Sequence, residues 1–338
     1  AGFVKAHFNL GNTLKELGRL DEAEASYNQA IKLKPDYTLA YNNLGDALKE
    51  QGRLDEAESS YNQAIALESN FVGALHNLSI AYSYMDNLEA EIIQLKKILK
   101  IDLKDYGLRA GVSLGICSFL NGDFENSRKY LSKASEIQSK ISPELTNEKV
   151  YWKYLSSILS WHKKNNINTH NQKIDKNLYV IGESHSLVTH QLVVQNSNYV
   201  LSCKAKLIKG CKQWHLANSK KNQYKYQFEN IFNSLPKSSD VLLVFGEIDC
   251  RLNTGIIKYK NTSPKIEINE IIDDTVENYL NYIEKNNLTL NHNIIIQGVP
   301  CPNINTKDCS KKEIQQLIEV IKNLNFELRK KSQEKGFG

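Results

Sequence analysis

A serine follows a short apolar run in the second half of the chain, within residues 178–187, Leu-Tyr-Val-Ile-Gly-Glu-Ser-His-Ser-Leu. The apolar and aromatic residues before Gly182 predict a buried strand that ends at this glycine. Residues 184–195 have apolar spacing compatible with a helix, which places Ser184 in a strand-to-helix turn. A hydroxyl at the carboxyl end of a strand, above the positive end of a helix, suits a nucleophile whose reaction generates an oxyanion.

A second polar stretch follows the apolar run 241–246 and reads Gly246-Glu247-Ile248-Asp249-Cys250-Arg251. Because ligands bind at the carboxyl edge of an open α/β sheet, we expect these side chains to lie at the same edge as Ser184. Glu183, Gly246 and Glu247 are therefore candidates to line a site. For Asp249 and Arg251 two interpretations stay open, an ion pair that fixes the loop and contact with a substrate.

Two histidines lie near these segments. His185 adjoins Ser184, but on a helix start its ring would point elsewhere, so packing or solvent exposure is the simpler interpretation. His215 lies soon after Gly210, which itself follows a strand-like stretch. Its ring either anchors a loop or core, or lines the site.

The elements that would position these residues alternate between strand and helix patterns. Two of the predicted strands are near-continuous apolar runs, as expected for parallel strands buried on both faces. The alternation predicts a doubly wound parallel sheet with right-handed crossovers. The predicted strands are 178–182, 199–208, 241–246 and 293–298, and the predicted helices are 184–195, 222–234, 266–286 and 311–333.

The first half of the chain repeats itself every 34 residues. Asn9-Leu10-Gly11 matches Asn43-Leu44-Gly45, and Tyr27–Ile31 matches Tyr61–Ile65. This period, with Leu-Gly followed by Ala, Tyr, Ala and a terminal Pro, resembles the tetratricopeptide repeat (TPR) family. The resemblance implies helix pairs that stack into an α-solenoid, because one pair cannot bury its apolar face alone. It is strong over 4–37 and 38–71, weaker over 72–105 and 108–141, and is followed by a predicted closing helix at 144–164.

Asparagines recur at this period as Asn9, Asn43 and Asn77. They resemble the asparagine ladder of superhelical TPR proteins such as the O-linked N-acetylglucosamine transferases. Paired amide donors and acceptors of this kind can bind the backbone of an extended peptide whatever its side chains. The alternative is that Asn before Leu-Gly serves helix packing alone. The resemblance thus implies a protein or peptide partner on the concave face of the solenoid.

Composition narrows the remaining possibilities. The chain has 338 residues, 41% apolar and 24% charged, which is ordinary for a globular protein. Its net charge of +5 is mild and gives no indication of nucleic-acid binding, so we expect no nucleic-acid partner. Its longest apolar run, Val241–Phe245, is far too short to cross a membrane. The six scattered cysteines form no C-x-x-C pair and predict reduced thiols in a cytoplasmic protein. We predict no metal and no cofactor.

The predicted domains are a TPR array with its closing helix at 1–164, a polar linker at 165–177, and an α/β domain at 178–338. The linker lacks hydrophobic periodicity and reads as a solvated connector.

The α/β region resembles the GDSL/SGNH hydrolases. Gly182-Glu183-Ser184 resembles their Gly-Asp-Ser block, with Glu183 where Asp is usual, and Gly246–Asp249 resembles their Gly-x-Asn-Asp block. Gly210 matches a further block glycine. The resemblance implies a three-layer α/β fold that hydrolyses carbohydrate or lipid O-acyl esters, such as an acylated glycan. Ser184 would be the nucleophile, and the backbone N–H groups of Ser184 and Gly210 would bind the oxyanion.

Two departures from that family bear on activity. Ile248 stands where the family has an Asn donor, and losing such a donor costs about 10²–10³ in rate. Arg251, three residues on, is a candidate to replace it. The chain also contains no Asp-x-x-His block. Since the sequence opens inside a repeat, we expect an internal fragment whose catalytic pair lies beyond Gly338, and hence little hydrolysis by this chain. The alternative is a peptide-binding TPR scaffold with a pseudo-enzyme α/β domain.

Overall fold

The computed structural model describes residues 2–102, 104–140, 146–165, 173–195, 198–252, 255–300 and 309–338. It divides into two compact units, Ala1–Ile167 with Lys221–Asn230, and Asn168–Lys220 with Ile231–Gly338. The segment Lys221–Asn230 thus packs with the helices of the first unit, which no sequence pattern predicts. The boundaries at 164 and 178 stay a prediction. Of the predicted linker, residues 166–172 lie outside the described residues, and Lys176 already begins a strand.

The first unit is built from helix pairs, as the 34-residue period predicts, followed by the predicted closing helix. Its helices are α1 (Gly2–Glu16), α2 (Leu20–Leu33), α3 (Thr38–Glu50), α4 (Leu54–Leu67), α5 (Val72–Tyr84), α6 (Leu88–Ile101), α7 (Asp105–Leu120), α8 (Phe124–Lys140) and α9 (Thr146–Lys164).

In the turn between the two helices of a pair, one residue adopts a left-handed backbone conformation. Gly18 and Gly52 have φ of +72° and +76°, a conformation that glycine adopts without a steric penalty. The N–H of Gly52 donates to the carbonyl of Lys49 and the next N–H donates to that of Leu48, which satisfies the last carbonyls of the helix. Asp86 takes the same position one repeat later with φ of +53°, and Asp is among the few residues that tolerate this region.

The Leu-Gly motif leaves room for a tyrosine from the second helix of the same pair. Tyr27 and Tyr61 are both completely buried. A Cβ atom on Gly45 would lie 2.6 Å from Cε1 of Tyr61, and Gly11 stands in the same relation to Tyr27. The absence of a side chain at Gly11 and Gly45 therefore allows the two helices of a pair to close over an aromatic ring.

The second unit contains a five-stranded mixed sheet in the order β2-β3-β1-β4-β5. β1 pairs in parallel with β3 and with β4, and β4 pairs in parallel with β5, as the apolar runs predict. The short β2 pairs antiparallel with β3, so the prediction of an all-parallel sheet was wrong at this edge. The three-layer arrangement stays a prediction. The strands are β1 (Lys176–Gly182), β2 (Val193–Gln195), β3 (Val200–Leu207), β4 (Asp240–Val244) and β5 (Asn293–Ile296).

The helix predicted over 184–195 does not form. A 3₁₀ helix covers Ser184–Thr189, the chain turns at Gln191 with φ of +60°, and β2 follows. The N–H of Gln191 donates to the carbonyl of Cys203, and the N–H of Cys203 donates to that of Leu192. Pairing of β-branched residues with β3 thus overrides the helical spacing. The expected α-helical dipole beneath Ser184 is replaced by a six-residue 3₁₀ turn.

The other predicted helices of this half of the chain are confirmed within two residues at each end. The apolar residues every three to four positions in 266–286 predict a buried stripe of Ile268, Ile272, Val276, Tyr279 and Ile283. All of them are buried except Ile268, which is half-buried at the start of the helix. The backbone of Gly338, after α14, pairs with β5 by donating to Ile294 and accepting from Ile296. No helix in the described ranges has the length and apolar character to cross a membrane. The helices are α10 (Gln213–Ala217), α11 (Gln223–Ser234), α12 (Ile256–Thr262), α13 (Ile268–Asn287) and α14 (Lys311–Glu334).

Candidate functional site

The first helices of the repeats form one continuous surface. α1 contacts α3, α3 contacts α5, and α5 contacts α7, so these helices adjoin each other along the array. We call their common exposed side the first-helix face. The predicted asparagine ladder lies on these helices: Asn9 is exposed on α1, and Asn43 and Asn77 are half-buried on α3 and α5.

Two of the three ladder asparagines hydrogen-bond across repeats. The Nδ2 of Asn43 donates to Oδ1 of Asn12 on α1 at 2.8 Å, and its own Oδ1 accepts from Asn42 at 3.1 Å. The Nδ2 of Asn77 donates to Oδ1 of Asn42 on α3 at 3.1 Å. These bonds serve packing between repeats, the second interpretation considered above. The Nδ2 of Asn77 also donates to Oδ2 of Asp46 at 3.4 Å, which uses both of its N–H groups. The capacity left to both amides is therefore mainly that of acceptors at Oδ1. Peptide binding by these residues stays a prediction.

Asp46 connects the asparagine network to a tyrosine and to two lysines. Its carboxylate accepts from the hydroxyl of Tyr61 at 2.7 Å and lies 3.0 Å and 3.7 Å from the Nζ atoms of Lys49 and Lys15. Burial raises the pKa of Tyr27 to about 12, and burial together with the charge of Asp46 raises the pKa of Tyr61. Both hydroxyls are protonated donors at neutral pH, and that of Tyr27 donates to Oδ1 of Asn12 at 2.9 Å. The two tyrosines therefore join α2 and α4 to the network.

In the second unit, the carboxyl ends of β1 and β4 lie side by side. Gly182 pairs with Val244, and a Cβ atom at Gly182 would lie 2.2 Å from the carbonyl oxygen of Val244. The N–H of Glu183 donates to that carbonyl at 3.3 Å. Since β3 adds on one side of β1 and β4 on the other, this is the point where the strand order reverses. Such a point is where open α/β sheets bind ligands.

The structure brings three predicted site residues together at this edge. Glu183, His185 and Glu247 line a crevice with Gln297 and Pro300, and this crevice is too narrow for a water molecule. Ser184 is half-buried beside them, and the described part of the chain gives its hydroxyl no hydrogen-bond partner. The placement of Ser184 after β1 follows the sequence-based expectation, and its role as a nucleophile stays a prediction.

Glu183 is a buried acid in an acidic setting. Its side chain is 2% exposed, and Oε1 has no hydrogen-bond partner in the described residues. Burial, followed by the negative charges of Glu247 and Asp249, raises its pKa to about 8. Glu183 is therefore mainly a neutral carboxylic acid at pH 7, and such a strongly shifted group at a sheet edge marks a functional-site candidate.

The loop after β4 is fixed by two sets of contacts, and its ion pair joins Arg251 to Glu247 rather than to Asp249 as considered above. Arg251 donates to Glu247, with Nη2 at 2.6 Å from Oε2 and Nε at 3.0 Å from Oε1. Asp249 is 1% exposed, and its two carboxylate oxygens accept from the backbone N–H groups of Gln213 at 2.8 Å and Trp214 at 3.2 Å. Burial raises the pKa of Asp249 to about 6. Asp249 thus ties this loop to the start of α10.

His215 also has an anchoring geometry. Its Nδ1 accepts the backbone N–H of Lys212 at 3.0 Å. Burial, and then the charge of Lys212, lowers its pKa to about 4, so the ring is neutral and a weak general base at pH 7. His190 and His292 likewise accept backbone N–H groups at Nδ1. These three rings are engaged with the backbone, which leaves Ser184 without a base among them.

The two loop glycines adopt left-handed backbone conformations. Gly210 has φ of +75° in the turn after β3, and Gly246 has φ of +115° after β4. A Cβ atom at Gly246 would lie 2.5 Å from Cγ2 of Val299. The backbone path therefore favours glycine at position 210 and requires it at position 246. Oxyanion binding by the N–H groups of Gly210 and Ser184 stays a prediction.

One concave feature of the second unit shares only Asp249 with the site residues predicted from the sequence. A cavity of about 220 Å³ is lined by residues that include Trp214 at α10 and Tyr259 on α12. The sequence signal that could have indicated it is the presence of lysines close to these two aromatic residues. The described residues contain no cluster of three or more His, Cys, Asp or Glu side chains arranged as a metal site.

Comparison with known families identifies the repeats. A model described as TPR repeat matches residues 11–52, and a model described as tetratricopeptide repeat matches residues 38–71. The N-terminal region therefore contains tetratricopeptide repeats, which confirms that part of the sequence-based prediction. No curated protein matches the chain significantly. Nothing in the comparisons supports the predicted GDSL/SGNH hydrolase domain.

Among solved structures, similarity is found to TPR proteins. MamA is 27% identical with a TM-score of 0.38, over 40% of this chain and 79% of that one. A tetratricopeptide repeat protein from Parabacteroides merdae is 16% identical with a TM-score of 0.43, over 49% of this chain and 64% of that one. YrrB, a TPR protein with an unusual peptide-binding site, is 17% identical with a TM-score of 0.39, over 49% and 85% respectively.

Proposed function

We propose that the repeat unit is a protein-binding scaffold that binds an extended peptide on its first-helix face. The observation that carries this proposal is the row of amide side chains at a 34-residue period across three repeats, Asn9, Asn43 and Asn77. The TPR family match over residues 11–71 supports the same function, because such arrays recruit proteins through their inner helices.

The spacing of the repeats suits an extended backbone. Neighbouring packed helices lie about 8–10 Å apart, and an extended chain rises about 3.3 Å per residue. One repeat therefore corresponds to about three peptide residues, and the three asparagines span about six. Because each amide offers both N–H and C=O groups, it can pair with the peptide backbone independently of side-chain sequence.

The amide network gives the ladder a fixed orientation. Asn43 and Asn77 are each fixed by a neighbouring repeat through Asn12 and Asn42. A side chain that is already ordered loses less conformational entropy when it binds, so a preorganised amide contributes more of its hydrogen-bond energy to affinity. Asn9 belongs to the ladder but bonds through its side chain to no described residue, so it provides a separate test of peptide contact.

We expect Asn9→Ala and Asn43→Ala each to weaken peptide binding about fivefold or more, which corresponds to about one net hydrogen bond. Twelve-residue peptides selected by display against the whole chain would be synthesised, and their Kd measured by fluorescence anisotropy. Asn28→Ala and Asn62→Ala are the matched controls, because these exposed asparagines also repeat at 34 residues but lie on the second helices, α2 and α4. Equal affinities for the two sets of variants would contradict the proposal.

A second candidate function is ester hydrolysis by the second unit, with a carbohydrate or lipid O-acyl ester as substrate. One observation favours it: Ser184 directly follows β1 where the strand order reverses, beside the buried acid Glu183. The low pKa of His215 and its bond to the backbone argue against that histidine as base.

For this chain we expect the same rate of p-nitrophenyl acetate hydrolysis with and without Ser184→Ala, within about twofold, because a serine without a base is a weak nucleophile. The exposed Ser219→Ala is the control for removal of a hydroxyl in the same unit. A hundredfold loss confined to Ser184→Ala would instead establish the second unit as an esterase.

A further inference from the structure

The cavity of about 220 Å³ in the second unit lies where α10, α12 and α13 meet. Its volume exceeds the roughly 150 Å³ of an engineered apolar cavity that binds benzene. This is enough for a single ring with a small head group and too little for a polypeptide segment. The occupant that fits is therefore a small molecule.

Aromatic and aliphatic side chains provide an apolar lining. Ile256 and Ile271 are 4% and 7% exposed within the unit. Trp214 and Tyr259, which also line the cavity, are 46% and 44% exposed. Leaving two large aromatic rings half exposed to water is unfavourable. A ring-shaped ligand that stacks against them would remove this apolar surface from water.

The charged lining is positive. Lys212 and Lys258 both line the cavity. Burial lowers the pKa of Lys212 most; the charge of Asp249 opposes this effect, and the nearby charge of Lys258 adds to it. Asp249 is the carboxylate on the lining, and both of its oxygens accept backbone N–H groups of α10. With two lysines and one carboxylate on the lining, the charge there is net positive, which favours an anion.

We propose that this cavity binds a small organic anion with a ring-shaped apolar body, the ring against Trp214 and Tyr259 and the anionic group near Lys212 and Lys258. This site is separate from peptide binding by the repeats. It also does not depend on Ser184, which is not among the residues that line the cavity.

Benzoate is the probe that tests both parts of the proposal, with benzamide as its neutral counterpart of the same shape. In the ¹⁵N-labelled whole chain, the indole N–H resonance of Trp214, assigned by its loss in Trp214→Phe, would be followed during titration. We expect a saturable shift with benzoate and at least fivefold weaker binding of benzamide. Inorganic phosphate, which lacks the apolar body, is expected to bind at least fivefold more weakly than benzoate.

Lys258→Gln provides the residue-specific test, because Lys258 is exposed and its replacement leaves the packing of α12 in place. It is expected to raise the Kd for benzoate at least fivefold and to leave that for benzamide unchanged. Lys265→Gln, an exposed lysine that is not part of the lining, should change neither. Absence of a saturable Trp214 shift, equal binding of the two compounds, or equal behaviour of the two variants would overturn the proposal.

Discussion

Glu183→Gln is expected to make the second unit more stable than the wild type at pH 8, by about 3–4 kcal/mol. The carboxyl group is 2% exposed, and its pKa is raised from 4.5 to about 8, first by burial and then by Glu247 and Asp249. Between these pH values the folded chain keeps a proton that the unfolded chain releases. The contribution of Glu183 to the free energy of unfolding of the wild type is therefore most favourable below pH 4.5, and it falls as the pH rises towards 8. Glutamine has the same shape and stays neutral throughout.

Hydrogen exchange of the buried Ile181 and Leu243 amides at pH 5, 7 and 8.5, corrected for intrinsic rates, measures this difference in the sheet. Glu319→Gln, an exposed glutamate on α14, controls for loss of one negative charge. We expect the wild type and Glu319→Gln to lose protection together as pH rises, and Glu183→Gln to lose less. An identical pH dependence for all three proteins would mean that Glu183 ionises normally in the fold.

Gly52→Ala is expected to destabilise the first unit by about 3–4 kcal/mol, and Gly18→Ala by only about 1–2 kcal/mol. Gly52 and Gly18 occupy equivalent turns of successive repeats, with φ of +76° and +72°. Both substitutions therefore carry the same cost of placing alanine in a left-handed backbone conformation. A Cβ atom on Gly52 would also lie 2.9 Å from the carbonyl oxygen of Asn222, whereas a Cβ atom on Gly18 meets nothing within 4 Å. The obstructing atom belongs to the backbone, which cannot rotate away.

The difference between the two variants measures how firmly Lys221–Asn230 packs with the repeats. In this segment the amide of Gln227 donates to the carbonyl of Ser83 at 2.9 Å, and Tyr224 lies edge-on to Tyr84 at 5.7 Å. Urea unfolding followed by far-UV circular dichroism gives both free energies. Equal losses for Gly18→Ala and Gly52→Ala would contradict the packing of Asn222 against the turn at Gly52.

The repeats were predictable because their structure is encoded locally. The left-handed turn favours glycine, as at Gly18 and Gly52, and a buried Tyr27 or Tyr61 needs a glycine on the facing helix. The same residues therefore recur every 34 positions. The structure of residues 184–195 was not predictable in this way. Their apolar spacing fits a helix, but Val193 pairs with Ser202 of β3. Long-range pairing of this kind is absent from a local pattern.

The candidate sites also combine features that local sequence predicts with features that depend on residues far apart in the chain. The position of Ser184 after a strand follows from the apolar run that precedes it. The protonated state of Glu183 depends on Glu247 and Asp249, which are more than 60 positions away in the sequence and come together only in the fold. The partners of Asn43 and Asn77 likewise belong to neighbouring repeats. Sequence therefore predicts which side chains share a surface, and the fold determines how they are charged and bonded.

The most direct test of the scaffold function is to observe the asparagine side chains while a selected peptide binds. In ¹⁵N-labelled protein, the Nδ2 resonances of Asn9 and Asn43 should shift in a saturable way, and those of the exposed Asn28 and Asn62 on the second helices should not. Shifts confined to Asn28 and Asn62, or to the indole of Trp214 in the second unit, would place the peptide elsewhere and contradict binding on the first-helix face.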